Sequence, residues 1–171
     1  VDSRNEGIFV RLLDEVRLTG IRDEVFHEGE RVGVALGAGG DRDKGKRPMM
    51  GEIAGRLADD IIVTDDNPRT EDSAAIIAQI LAGMSDAAAA QVVPDRVEAI
   101  RLAIAEAEAG DVVVVAGKGH EDYQIVGTET RAFSDRETVQ ACLSGGAACS
   151  AATSQRLPWC AAAPCRAPMR R

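Results

Sequence analysis

The chain has 171 residues, 45% of them hydrophobic, which suits one domain of ordinary size with a real core. Aromatics make up only 3%, so that core must rest on Val, Ile, Leu and Ala. A net charge of −8 excludes the basic face of a nucleic-acid binder and attraction to anionic lipid, and no stretch reads as a membrane span or signal peptide.

Residues 1–30 form a charged segment in which Ile8, Leu12, Leu13 and Val16 have helical spacing, predicting a short amphipathic helix. Val32 to Leu36 reads as a buried strand followed by a glycine loop. A helix from Met49 to Leu57 follows, with Pro48 in its first turn. Ile61 to Thr64 is the next strand. Ile76, Ile77, Ile80, Leu81 and Met84 then mark one helix face, with Thr70 as cap and Glu71 and Asp72 at the positive end. A short strand is predicted at Gln91–Val93. Pro94 opens a helix carrying Val97, Ile100, Ile104 and Ala107 on one side, and Gly110 stops it.

Asp111 to Ala116 contains four consecutive valines. A β-branched run without alternation is what a central parallel strand covered on both faces requires. Tyr123–Val126 and Thr130–Phe133 flank Gly127 as a hairpin, and Ser134 to Glu137 is a capping box opening a helix to about Leu143. Strand and helix alternate with short connections. The fold class is therefore α/β: a Rossmann-like, doubly wound, mostly parallel sheet with helices on both faces and a C-terminal hairpin. The domain proper covers 31–143. From 144 to 171 Gly, Ala, Ser, Pro, Cys and Arg dominate, which reads as a disordered or non-native tail.

Cys142, Cys149, Cys160 and Cys165 make no C-x-x-C pair, and His27 and His120 are distant from them in sequence. That argues against a zinc site and for reduced thiols in the cytoplasm.

Ligands of an open parallel sheet bind outside the carboxyl ends of its strands. Three polar segments follow three apolar strands here: Gly37 to Arg47, Asp65 to Thr70, and Gly117 to Asp122. Strand direction puts all three on one edge. In the second, Pro68 fixes its own φ and holds Asn67 out of the helical region, so that Asn67 and Arg69 are presented in a set geometry. A guanidinium held this way suits a carboxylate or phosphate. Together the segments offer guanidinium, ammonium, amide and carboxylate, a mixture matched by a zwitterionic ligand. A pure anion would be repelled by Asp41, Asp43, Asp65, Asp66 and Glu121.

The first segment fits the phosphate cradle G-x-x-x-x-G-K over Gly40 to Lys46. However, Arg47 stands where the magnesium-holding hydroxyl belongs, and two aspartates lie inside the loop. His120 reads as a hydrogen-bonded scaffold residue rather than a general base, and a solvated Lys118 stays open.

Gly39 to Pro48, Asp66-Asn67-Pro68-Arg69 and Gly117-Lys118-Gly119-His120-Glu121 closely resemble three motifs of the Mur ligases. In order and spacing they are similar to the C-terminal domain of the branch that adds meso-diaminopimelate, over about Val32 to Leu143. The Asp-Asn-Pro-Arg motif marks diaminopimelate users as against lysine users. The resemblance implies a diaminopimelate site at Arg42, Asn67, Arg69, Gly117 and Glu121. Asp66, Pro68, Lys118 and His120 would support it, and Glu121 would take the distal ammonium. A bidentate pair at Arg69 left empty by lysine would reject lysine about 10⁴-fold.

The implied reaction is cytoplasmic, ATP-dependent amide formation. ATP phosphorylates the D-glutamyl carboxylate of a UDP-linked muramoyl dipeptide, and the diaminopimelate amine attacks the acyl phosphate. The family's central domain for ATP and Mg2+, its sugar-binding domain and an Asp-Tyr-Ala-His type motif have no counterpart in this sequence. The chain is thus expected to be a truncated ligase with no catalytic residue, no metal site and no cofactor of its own. A non-catalytic diaminopimelate-binding remnant and a P-loop-like nucleotide binder are the alternative readings.

Overall fold

The computed structural model describes residues 9–14 and 31–144. The expectations for the rest of the 1–30 segment and for the 145–171 tail fall outside the described residues. The elements run β1 (Phe9–Asp14), β2 (Val32–Leu36), α1 (Lys46–Leu57), β3 (Asp60–Val63), α2 (Ser73–Leu81), a 3-10 turn (Ala87–Ala89), β4 (Ala90–Val92), α3 (Arg96–Glu106), β5 (Val112–Gly117), β6 (Tyr123–Val126), β7 (Glu129–Ala132) and α4 (Asp135–Leu143).

Five strands form one sheet in the order β1-β5-β2-β3-β4, and every pairing in it is parallel. The valine run of β5 lies between β1 and β2, with all six of its residues buried. Val112, Val114 and Ala116 face one core together with Val34, Leu36, Val63, Met50, Ile76 and Ile80, under α1 and α2. Val113 and Val115 face the other, with Ala35, Ile100, Ile104 and Val139, under α3 and α4. The missing alternation in sequence is thus the result of two apolar faces on one strand. The β6–β7 hairpin forms a separate antiparallel pair.

The helix expected around Leu12 and Leu13 is instead strand β1, paired with β5 from Phe9↔Val112 to Asp14↔Gly117. A helical spacing of barely two turns is marginal by itself. The open side of a central strand offers backbone partners that outweigh it. The cap of α2 is also corrected: Asp72, not Thr70, accepts the Ala74 N–H. Asp95 and Ser134 cap α3 and α4 in the same way, each accepting from the residue three positions on.

Ile100 is fully buried in the second core, so Ile100→Ala is expected to destabilise the chain by about 2–5 kcal/mol. Met49→Ala, at a position 58% exposed, is expected to change stability by no more than about 0.5 kcal/mol. Urea unfolding of both variants measures the contrast.

Candidate functional site

β2, β3 and β5 end side by side, with Leu36 paired to both Val63 and Ala116. The chain leaving them must cross neighbouring backbone closely. Gly117 sits at φ 118°, and a Cβ there would lie 2.3 Å from the Gly37 carbonyl oxygen. A Cβ on Gly40 would lie 1.8 Å from the Pro68 carbonyl oxygen, while the Gly40 N–H donates to Asn67 O at 2.8 Å. Only glycine permits either approach. Beneath this crossing lies Arg96, 1% exposed. Its guanidinium donates to both carboxylate oxygens of Asp135 at 2.8 Å, and to the carbonyls of Asp65 and Ala116 at 3.2 Å each. Burial alone would lower its pKa, but the hydrogen bonds and charge of Asp135 reverse that and raise it.

A second guanidinium ties the first loop to the turn. Arg47 is also 1% exposed. It donates to both oxygens of Glu71 at 3.0 and 2.9 Å, to Gln79 Oε1 at 2.8 Å and to Gly39 O at 2.9 Å. Glu71 also accepts the Asp41 N–H at 2.7 Å and pairs with Lys44 at 3.0 Å. The Thr70 hydroxyl donates to Asp41 at 2.8 Å. Asp41 and Arg69 are the two non-glycine residues with left-handed backbones among those described, at φ 53° and 54°. Such strain is retained where surrounding contacts over-determine it. At Arg69 the N–H donates to Ile125 O at 3.1 Å, the carbonyl accepts from Gly127 N at 2.7 Å, and Nη1 donates to Gly40 O at 3.0 Å. The turn is thereby stitched to the hairpin on one side and to the glycine loop on the other.

The third segment closes the junction. Asn67 is 1% exposed. Its Nδ2 donates to Glu121 Oε2 at 2.6 Å, and its Oδ1 accepts from Lys118 Nζ at 3.2 Å and Ile125 N at 2.9 Å. Tyr123 donates its hydroxyl proton to Glu121 Oε1 at 3.3 Å, and Gln124 Nε2 donates to Asp66 O at 2.7 Å.

Of the expected site residues, Asn67, Arg69, Gly117 and Glu121 are thus drawn into one junction, with Asp66, Pro68 and Lys118 buried beneath it. Arg42 is exposed beside Asp41 and has no side-chain partner among the described residues. One open reading is decided and one expectation is corrected. Lys118 is buried rather than solvated, because it pairs with the buried Asp66 carboxylate at 2.9 Å. His120 is exposed with no hydrogen-bond partner among the described residues, so it is not a hydrogen-bonded scaffold residue. The sequence reading missed Arg96, Asp135, Arg47 and Glu71 as site-forming residues. The signal available was an arginine at a helix start with no surface role, Arg47 directly before Pro48.

The glycine loop is a poor match to a phosphate cradle, because several of its N–H groups are spent inside the protein: Gly40 on Asn67 O, Asp41 on Glu71, Gly45 on Asp43 Oδ1 at 3.0 Å, and Arg47 on Lys44 O. Arg47, in the position of the metal-holding hydroxyl, is turned inward onto Glu71. A cleft of about 440 Å³ opens nearby between Asp65, Asp95, Gln124 and Arg131, but none of the expected ligand residues lines it.

Residues 17–119 match the family model described as Mur ligase, glutamate ligase domain. A curated relative from Synechococcus sp. (strain WH7803), UDP-N-acetylmuramoyl-L-alanyl-D-glutamate--2,6-diaminopimelate ligase, is 54% identical over 118 residues, which is 69% of this chain and 23% of that protein. A solved structure of a ligase of the same name superposes with a TM-score of 0.74 at 34% identity, covering 83% of this chain and 30% of the other. The chain therefore spans about a quarter of the curated relative's length.

Hydrogen bonds from Arg47, Lys44 and the Asp41 N–H hold the Glu71 carboxyl well below its ordinary pKa. A depressed folded-state pKa contributes stability above the unfolded value of about 4.3 that is lost as pH falls below it. Acid titration of stability below about pH 5 is therefore expected to be shallower in Glu71→Gln than in the parent chain. Gly40→Ala, which forces the loop off Pro68, is expected to lower the melting temperature by several degrees in a calorimetric scan, about what a loss of 1–3 kcal/mol produces.

Proposed function

Because the chain belongs to the Mur ligase family, we propose that it is the amino-acid-holding domain of an ATP-dependent, amide-forming ligase. That ligase would join meso-diaminopimelate to UDP-N-acetylmuramoyl-L-alanyl-D-glutamate in cytoplasmic peptidoglycan synthesis; the Synechococcus relative is named as a UDP-N-acetylmuramoyl-L-alanyl-D-glutamate--2,6-diaminopimelate ligase. The observation that carries the reading is the junction itself. A half-buried carboxylate, Glu121, is bound by the Asn67 amide, and a half-buried guanidinium, Arg69, is held on Gly40 O two residues further along the same turn.

Meso-diaminopimelate carries an ammonium and a carboxylate at its far end. Arg69 spends one N–H on Gly40 O and retains others for that carboxylate. Glu121, its oxygens already oriented by Asn67 and Tyr123, is the acceptor for the ammonium. Arg42, exposed at the rim, adds a second cation for the carboxylate end. Lysine lacks that carboxylate and would leave Arg69 unmatched. The role of this domain is to bind and orient the amino acid so that its reacting amine faces the activated D-glutamyl carboxylate. ATP and magnesium belong to parts of the ligase other than the described residues, since Arg47 stands where the metal-holding hydroxyl is needed and is itself bound to Glu71. By itself the chain is a diaminopimelate-binding module without ligase turnover.

Calorimetry on the chain tests this. Diaminopimelate is expected to give binding heat and ATP with magnesium none. Arg69→Ala is expected to weaken diaminopimelate binding about 10- to 100-fold, the equivalent of one charge-assisted pair at about 1.5–3 kcal/mol, and to leave lysine binding unchanged. Equal losses for both amino acids would remove Arg69 from the selective role.

A further inference from the structure

We infer that Lys118 is a positioning residue that fixes the side-chain amide of Asn67 as a donor toward Glu121, and so sets the polarity of the site. The side chain of Lys118 is wholly buried. Its ammonium donates to Asn67 Oδ1 at 3.2 Å and to Tyr123 O at 2.8 Å, pairs with Asp66 Oδ1 at 2.9 Å, and lies 5.6 Å from the centre of the Phe133 ring. It is therefore enclosed by protein groups and is not available to a ligand.

An amide side chain can be turned over with little change in shape, so its direction is set by its neighbours. Asn67 Oδ1 faces two donors, Lys118 Nζ and Ile125 N, and its Nδ2 faces the Glu121 carboxylate. Turned over, the NH₂ group would meet an ammonium and a backbone N–H, and Oδ1 would meet a carboxylate. Both contacts are repulsive. Lys118 supplies the charged half of that discrimination. The Asn67 N–H directed at Glu121 holds that half-buried carboxylate as the acceptor for a cation. The same ammonium joins the turn, through Asp66 and Asn67, to the start of the hairpin, through Tyr123.

The ligand arm of the test rests on the diaminopimelate reading above; the ligand-free arm does not. In ¹H–¹⁵N spectra of the ligand-free chain, the Lys118 ammonium is expected to exchange at least about tenfold more slowly than that of exposed Lys46, and Asn67 to show two separate, protected amide protons. Exchange of Lys118 as fast as Lys46 overturns the inference. For the ligand arm, Lys118→Met is combined with Asp66→Asn so that no unpaired buried charge remains. This variant and Asn67→Ala are each expected to weaken diaminopimelate binding about tenfold, and all three substitutions together no more than about twofold beyond Asn67→Ala, because one residue acts through the other. Losses that multiply to about 100-fold overturn the inference. A parent chain that gives no diaminopimelate heat defeats the proposed function instead, and the exchange rates then decide the role of Lys118.

Discussion

Where parallel strands end together, their last carbonyls are withdrawn from water and from the sheet ladder at once, and each must find a donor. This requirement organises the carboxyl edge of the chain. Asp65 O and Ala116 O are met by Arg96, Gly39 O by Arg47, Gly40 O by Arg69, Asp66 O by Gln124 and Tyr123 O by Lys118. Five long polar side chains thus do at the strand ends what the ladder does within the sheet. The glycines at 40 and 117 make this possible by letting the backbones approach closely enough for single side chains to span them.

Burying so many cations is costly unless each is matched. Arg96 is matched by Asp135, Arg47 by Glu71 and Lys118 by Asp66. The pairs link elements distant in sequence: α3 to α4, the first loop to the turn, and the third loop to the turn. With those charges neutralised in place, Arg42, part of Arg69 and Glu121 are among the charged groups left on the rim. Arg69 and Glu121 are held by hydrogen bonds within the protein, before any ligand arrives. Such pre-arrangement reduces the ordering that binding must otherwise supply.

Beneath the expected site the polar side chains are buried and paired, while Arg42 at its rim is exposed. The junction is held by loops, and the cleft between Asp65, Asp95, Gln124 and Arg131 is lined by other residues. The curated relative is about four times as long as the stretch matched here.

The amino-acid sequence by itself determined the α/β class, the central position of the valine strand, the shared edge of the three loops and the motifs that tie the chain to its family. These are local or periodic properties: a β-branched run, helix caps, glycine-rich strand ends. It did not reveal that Phe9–Asp14 joins the sheet, because the partner that outweighs its helical spacing lies about a hundred residues away at Val112–Gly117. Nor did it separate the polar residues that bind from those that build. Asn67, Lys118, Arg47 and Arg96 look in sequence like any charged or amide residue of a surface loop or helix start. Only the tertiary structure turns them inward, because only there do buried carbonyls and carboxylates from separate segments come within hydrogen-bonding reach.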